Sequence, residues 1–107
     1  MLTAEFDVVA TAENGQLAVE CVRCYGPDVV VLDLEMPILN GIEVTRELRK
    51  LGPTPAVVIC SVESDREIVE AARLVGALGY VFKRRMTGDL VIAVRCAASG
   101  EPFVSSS

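Results

Sequence analysis

Two continuous apolar runs, Val29 to Leu32 and Ala56 to Cys60, limit what this chain can become. A strand with one wet face alternates apolar and polar residues, whereas a strand covered on both faces does not. Between the runs lies a stretch with helical spacing (Ile42, Thr45, Leu48), closed by Gly52-Pro53. Strand, helix, strand in that order predicts parallel pairing with a right-handed crossover. The alternation continues in both directions. Val8 to Thr11 is a short strand candidate. Asn14 caps the next helix, whose apolar face is Leu17, Ala18, Cys21, Cys24 and Tyr25, and Gly26-Pro27 stops it. Ser64 and Glu67 have the spacing of a capping box and open a helix with Ile68, Val69, Ala72 and Val75 inward, closed by Gly76 or Gly79. Tyr80 to Phe82 reads as the last strand. Thr87 caps a final helix through Leu90, Val94 and Ala97 to Gly100. The expected order is βαβαβαβα, an open parallel α/β sheet with flanking helices and no linker or repeat.

Composition narrows the function classes. The chain's 107 residues suffice for one domain and not for two. None of its apolar runs approaches a membrane span, and no signal segment is visible, so a cytoplasmic protein without membrane contact is expected. A formal net charge of −5 argues against direct nucleic-acid binding, which draws on basic surface. The pair Arg84-Arg85 is too short to reverse that. Cys21 and Cys24 form a CVRC motif, yet they fall late in a helical pattern rather than at a helix N-terminus, where a redox pair gains its low pKa. A zinc site needs further ligands, and the chain has no histidine and no second such motif. With Cys60 and Cys96 inside apolar segments, all four cysteines read as buried structural thiols.

Three successive strands end in polar residues that suit one ligand. Asp33 follows Leu32, Ser61 follows Cys60, and Lys83 follows Phe82. Neighbouring strands lie about 4.8 Å apart, so these side chains can converge beyond the carboxyl edge of the sheet, where open α/β folds bind ligands. A carboxylate, a hydroxyl and an ammonium make a covalent phosphoryl site. The carboxylate attacks phosphorus, the hydroxyl donates to a phosphoryl oxygen, and the lysine offsets charge. Taken singly, each is an ordinary strand-end or turn residue; the signal is their order.

The segments PDVVVLDLEMPILNGIEV, AVVICS and GALGYVFKRRMTGDLVIAVRCAASGEPFVS resemble the receiver domain of two-component response regulators, most closely the LuxR/NarL-type subfamily. The resemblance covers nearly the whole chain. It implies a flavodoxin-like (CheY-like) fold and a non-enzymatic signalling role in transcription regulation. Asp33 is then the phosphoacceptor for a sensor histidine kinase, with Ser61 and Lys83 binding the phosphoryl group. Glu35 offers its backbone carbonyl to Mg²⁺, and Tyr80 is a switch aromatic that moves inward when Ser61 is drawn to the phosphate. Asn40-Gly41 stands where Asp-Gly is common, and both suit a turn with positive φ.

One departure is large. Receivers begin with a strand ending in adjacent acids and a helix, before the strand matched by residues 6–11. That acid pair has no counterpart: Glu5 and Asp7 fall at the sheet's other end, and Glu13 on a strand too far out. The chain is thus expected to be a receiver domain over residues 1–107, incomplete by one N-terminal strand and most of one helix, with weak Mg²⁺ binding and impaired phosphorylation. Loss of a central strand leaves Val29 to Leu32 with an open edge unless Val8 to Thr11 slides in beside it. It also bares half of one sheet face, so a homo-oligomer is expected. Two alternatives stand: a phosphorylation-independent dimerisation domain, and a haloacid-dehalogenase-like phosphohydrolase. Against the enzyme, Glu35 is followed by Met-Pro, and the late acid pair of those enzymes is absent.

Overall fold

The computed structural model describes residues 8–9, 14–36, 38–50 and 55–106. Its elements run in chain order: β1 (Val8–Val9), α1 (Gly15–Tyr25), β2 (Val29–Asp33), α2 (Gly41–Lys50), β3 (Ala56–Ser61), α3 (Arg66–Leu74), β4 (Gly79–Phe82), α4 (Met86–Ala98) and β5 (Phe103–Val104), with a 3₁₀ turn over Lys83–Arg85. All four pairings are parallel and the sheet order is β1-β2-β3-β4-β5. Val8 and Val9 pair with Val29 and Val30, so the first strand does lie directly beside β2. Thr11 and Gly52-Pro53 lie outside the described residues, as do Glu5, Asp7 and Glu13.

β2, β3 and β4 are covered on both faces because their side chains alternate between two cores. Val30, Leu32, Val57, Ile59, Tyr80 and Phe82 pack with Ala18 of α1, Val44 and Leu48 of α2 and Ala72 of α3. On the other face Val29, Val58, Cys60 and Val81 meet Ala93, Val94 and Ala97 of α4. Among the described residues α4 covers that second face alone.

Several local expectations are corrected. The buried stripe of α1 is Ala18 with Val19 and Val22 packed beside it, while Leu17 and Cys24 face solvent. The stripe is rotated by about 100°, one residue, from the expected face. Cys24 is therefore not a buried thiol; Cys60 is, and Cys96 is half-buried. The side chains of Cys21 and Tyr25 lie outside the description. Asn14 does cap α1, its Oδ1 accepting the Leu17 N–H at 3.0 Å, and Gly26 ends it in the left-handed region. The cap of α3 is Asp65 rather than Ser64: its Oδ1 accepts the Glu67 N–H at 3.0 Å, a charged acceptor at the positive end of the helix. Gly76, at φ 109°, follows α3, whereas Gly79 opens β4. Thr87 caps nothing, because the 3₁₀ turn runs straight into α4 and Thr87 lies within the helix.

The largest omission is β5. Phe103–Val104 adds a fifth strand beside β4, and Ser105 behind it is buried. Its Oγ accepts the Phe82 N–H at 3.1 Å and donates to Asp89 Oδ2 at 2.8 Å. That pair fastens the tail to the end of β4 and the first turn of α4.

Candidate functional site at the carboxyl edge of the sheet

The register fixes the site. Asp33 pairs with Cys60, and Ser61 with Phe82, so Asp33, Ser61 and Lys83 leave three adjacent strands at one rim. The 3₁₀ turn then holds Lys83 over the sheet end. Its Nζ stands 2.9 Å from both Asp33 oxygens and 3.5 Å from Glu35 Oε1. The hydrogen bond to Asp33 holds the Lys83 ammonium above its ordinary pKa, with Glu35 adding to the rise. Ser61 is fully buried and donates to Glu35 Oε2 at 2.5 Å.

The loop that carries the acids is held from three sides. The Leu34 N–H donates to the Cys60 carbonyl, the Glu35 N–H to Asp33 Oδ1 at 3.2 Å, and the Gly41 N–H to the Leu34 carbonyl. Asn40 and Glu43 form a reciprocal capping box at the start of α2, both bonds at 2.8 Å. Asn40-Gly41 does not take positive φ, as the turn expectation required; Ile38 does, at 72°. Gly41 is needed for space instead. A Cβ there would stand 3.0 Å from the Asp33 carbonyl oxygen and 3.1 Å from Leu34 Cα. The missing side chain lets α2 start directly beneath the acceptor loop.

Tyr80 lies inward, 2% exposed, edge-on to Phe82. Its hydroxyl donates to the Glu63 carbonyl at 2.9 Å, while the Glu63 N–H donates to Ser61 Oγ at 2.9 Å. Ser61 and Tyr80 are thus joined through the backbone of one residue, Glu63. Burial raises the Tyr80 pKa, and the Glu35 and Glu63 charges add to the rise. Arg84 stacks its guanidinium over the Phe82 ring at 5.0 Å, and Arg85 reaches Asp89 at 3.7 Å.

The structure therefore brings Asp33, Ser61 and Lys83 together and places Tyr80 one step behind Ser61. The receiver resemblance assigns Glu35 a backbone role only, whereas its side chain stands between Ser61 and Lys83. Sequence reasoning also missed Ser105 and Asp89, which steady the strand that delivers Lys83.

A model of the response regulator receiver domain matches residues 1–95 of the chain. The chain belongs to that family. Among curated relatives, the transcriptional regulatory protein DegU of Brevibacillus brevis is 39% identical over 100 residues, covering 94% of this chain and 42% of its own length. The nitrate/nitrite response regulator NarL of Escherichia coli is 35% identical over 106 residues, covering 99% and 49%. The chain spans about half the length of the curated relatives it matches. Among solved structures, a LuxR-family two-component response regulator from Aurantimonas superposes with a TM-score of 0.83 at 32% identity, over 89% of this chain and 68% of that one. The response regulator domain of Thermotoga maritima CheB gives 0.74 at 32% identity, over 85% and 75%. The chain thus shares the receiver fold of the LuxR/NarL subfamily over most of its length.

Receiver domains generally bind Mg²⁺ at the phosphorylation site. Mg²⁺ takes octahedral oxygen ligands, commonly one or two carboxylates with waters and phosphate. Here Asp33 and Glu35 are both engaged by Lys83, and among the described residues no group of three or more metal-ligating side chains occurs. The two carboxylates at the rim are of the kind that would hold Mg²⁺, and Lys83 engages both.

Proposed function

We propose that this receiver accepts a phosphoryl group on Asp33 from a sensor histidine kinase and answers by changing a protein-binding surface. An Asp33 oxygen attacks phosphorus and the P–N bond of the phosphohistidine breaks. The bonding pair returns to the imidazole nitrogen, leaving an acyl phosphate. Ser61 donates its hydroxyl to one phosphoryl oxygen, and Lys83 neutralises the charge that the transfer brings. Tyr80 is the switch aromatic, linked to Ser61 through Glu63. The observation that carries this reading is the meeting of Asp33, Lys83 and Ser61 at one strand-end rim, with Lys83 Nζ 2.9 Å from the carboxylate.

With Asp33 and Glu35 the carboxylates at hand among the described residues, and Lys83 engaging both, Mg²⁺ binding is weak and transfer is slow. A Mg²⁺ titration followed by NMR is expected not to saturate below millimolar concentrations, and saturation there contradicts the weak site. The domain works in the cytoplasm as a signalling module, self-associates, and has no catalytic turnover of its own. Among the described residues no helix is long and apolar enough to cross a membrane.

The test is exposure to phosphoramidate followed by intact-mass measurement. Wild type gains one phosphoryl group, D33N gains none, and S61A and K83A react on the order of a hundredfold more slowly. A gain retained in D33N contradicts the assignment, as does equal reactivity of K83A.

A further inference from the structure

Glu35 holds the two donors that the proposed function gives to the phosphoryl group, and the present inference rests on that reading. Its Oε2 accepts from Ser61 Oγ at 2.5 Å, and its Oε1 stands 3.5 Å from Lys83 Nζ. We propose that Glu35 is a built-in competitor for the anion pocket, its carboxylate occupying Ser61 and Lys83 in the resting chain and swinging out before a tetrahedral anion is held there.

Two physical constraints support the exclusion. A serine hydroxyl has one proton, so Ser61 donates either to Glu35 or to a phosphoryl oxygen, never to both. A carboxylate and a phosphate sharing one lysine also repel each other, at contact distance by on the order of tenfold or more in affinity. Release of Glu35 needs no rearrangement of the fold. Its side chain is 42% exposed, and the residue lies in the loop after β2. The backbone there is fixed separately, through the Glu35 N–H to Asp33 Oδ1. The side chain therefore rotates away while the loop stays.

The exchange has a reporter. Ser61 Oγ also accepts the Glu63 N–H, and Tyr80 donates to the Glu63 carbonyl. A hydroxyl that turns from Glu35 to an anion alters its acceptor geometry toward Glu63, and the change reaches Tyr80 through the backbone of that one residue.

NMR titration with inorganic phosphate tests this on wild type, E35Q and E35A. Glutamine keeps the size and removes the charge; alanine empties the position; the exposed loop site spares the fold in both. The amide shifts of Ser61, Lys83 and Tyr80 are expected to reach half-saturation at about tenfold lower phosphate in both variants than in wild type. Equal titration of all three proteins, tighter binding by wild type, or no response in any of them overturns the proposal. The outcomes separate from those of the acceptor reading. If the tenfold gap appears but phosphoramidate leaves Asp33 unmodified in wild type and E35A alike, Glu35 is the competitor and the acceptor assignment falls.

Discussion

Cys60 shows how one buried side chain reports on the site beside it. Burial pushes its thiol from 9.0 to about 11, the Asp33 carboxylate adds to the rise, and Lys83 opposes it. A group that binds its proton more tightly when folded contributes its full stability below its unfolded pKa and loses it as pH climbs through the folded value. Stability should therefore decline between pH 9 and about 11. Tyr80 and Lys83, both raised, push in the same sense above their ordinary values, Lys83 weakly because solvent screens it. Denaturant midpoints measured across that window should fall, and C60V should show a shallower slope. At neutral pH a thiol reagent should label Cys24 rapidly and Cys60 only on unfolding. Gly41 belongs to this scale as well. G41A presses a methyl group onto Asp33 and Leu34, so it should cost about 1–3 kcal/mol of stability by urea unfolding and slow phosphorylation by moving the acceptor loop. A wild-type melt for G41A would mean that the close approach is not constrained.

Elements were legible in the sequence where hydrophobic pattern and length agreed. The runs at Val29 and Ala56 have the pattern of strands covered on both faces, and the helix between them declared itself by spacing and a Gly-Pro stop. Asn14 and Gly26 bound α1 as their chemistry dictates. What failed was fine phase. Two adjacent apolar stripes compete in α1, and only the packing against Val44 and Leu39 decides between them. The cap of α3 shifted by one residue because Asp65 offers a charged acceptor where Ser64 offers a hydroxyl. β5 was illegible because a two-residue strand has no periodicity to read. Its evidence is tertiary: Ser105 buried between the Phe82 amide and the Asp89 carboxylate. S105A removes both bonds and strands a buried donor, so it should cost about 1–3 kcal/mol. In a double-mutant cycle with D89N the two costs should be non-additive. Additive costs would show that the tail and α4 are not joined through this contact.

For the whole molecule, the sequence disclosed the three-residue rim because parallel topology brings successive strand ends together whatever the loops do. It did not disclose Glu35's side chain, since a carboxylate two residues beyond Asp33 acquires a partner only once β3 and the Lys83 turn are in place. The lopsided cover of the sheet also appears only at this scale: α1, α2 and α3 pack on one face and α4 on the other. Val91, Ile92 and Val104 are exposed, so apolar surface remains on α4 and β5. Self-association is the expected consequence, with a dimer mass by light scattering at micromolar concentration; a stable monomer there contradicts it. Phosphoryl transfer to this domain requires Asp33 to be the group that phosphorus meets. Borohydride reduction of the protein after prolonged phosphoramidate treatment, followed by peptide mapping, reads that directly. It should convert Asp33 to homoserine and leave every other acid intact, whereas reduction at a different carboxylate, or at none, would contradict the account.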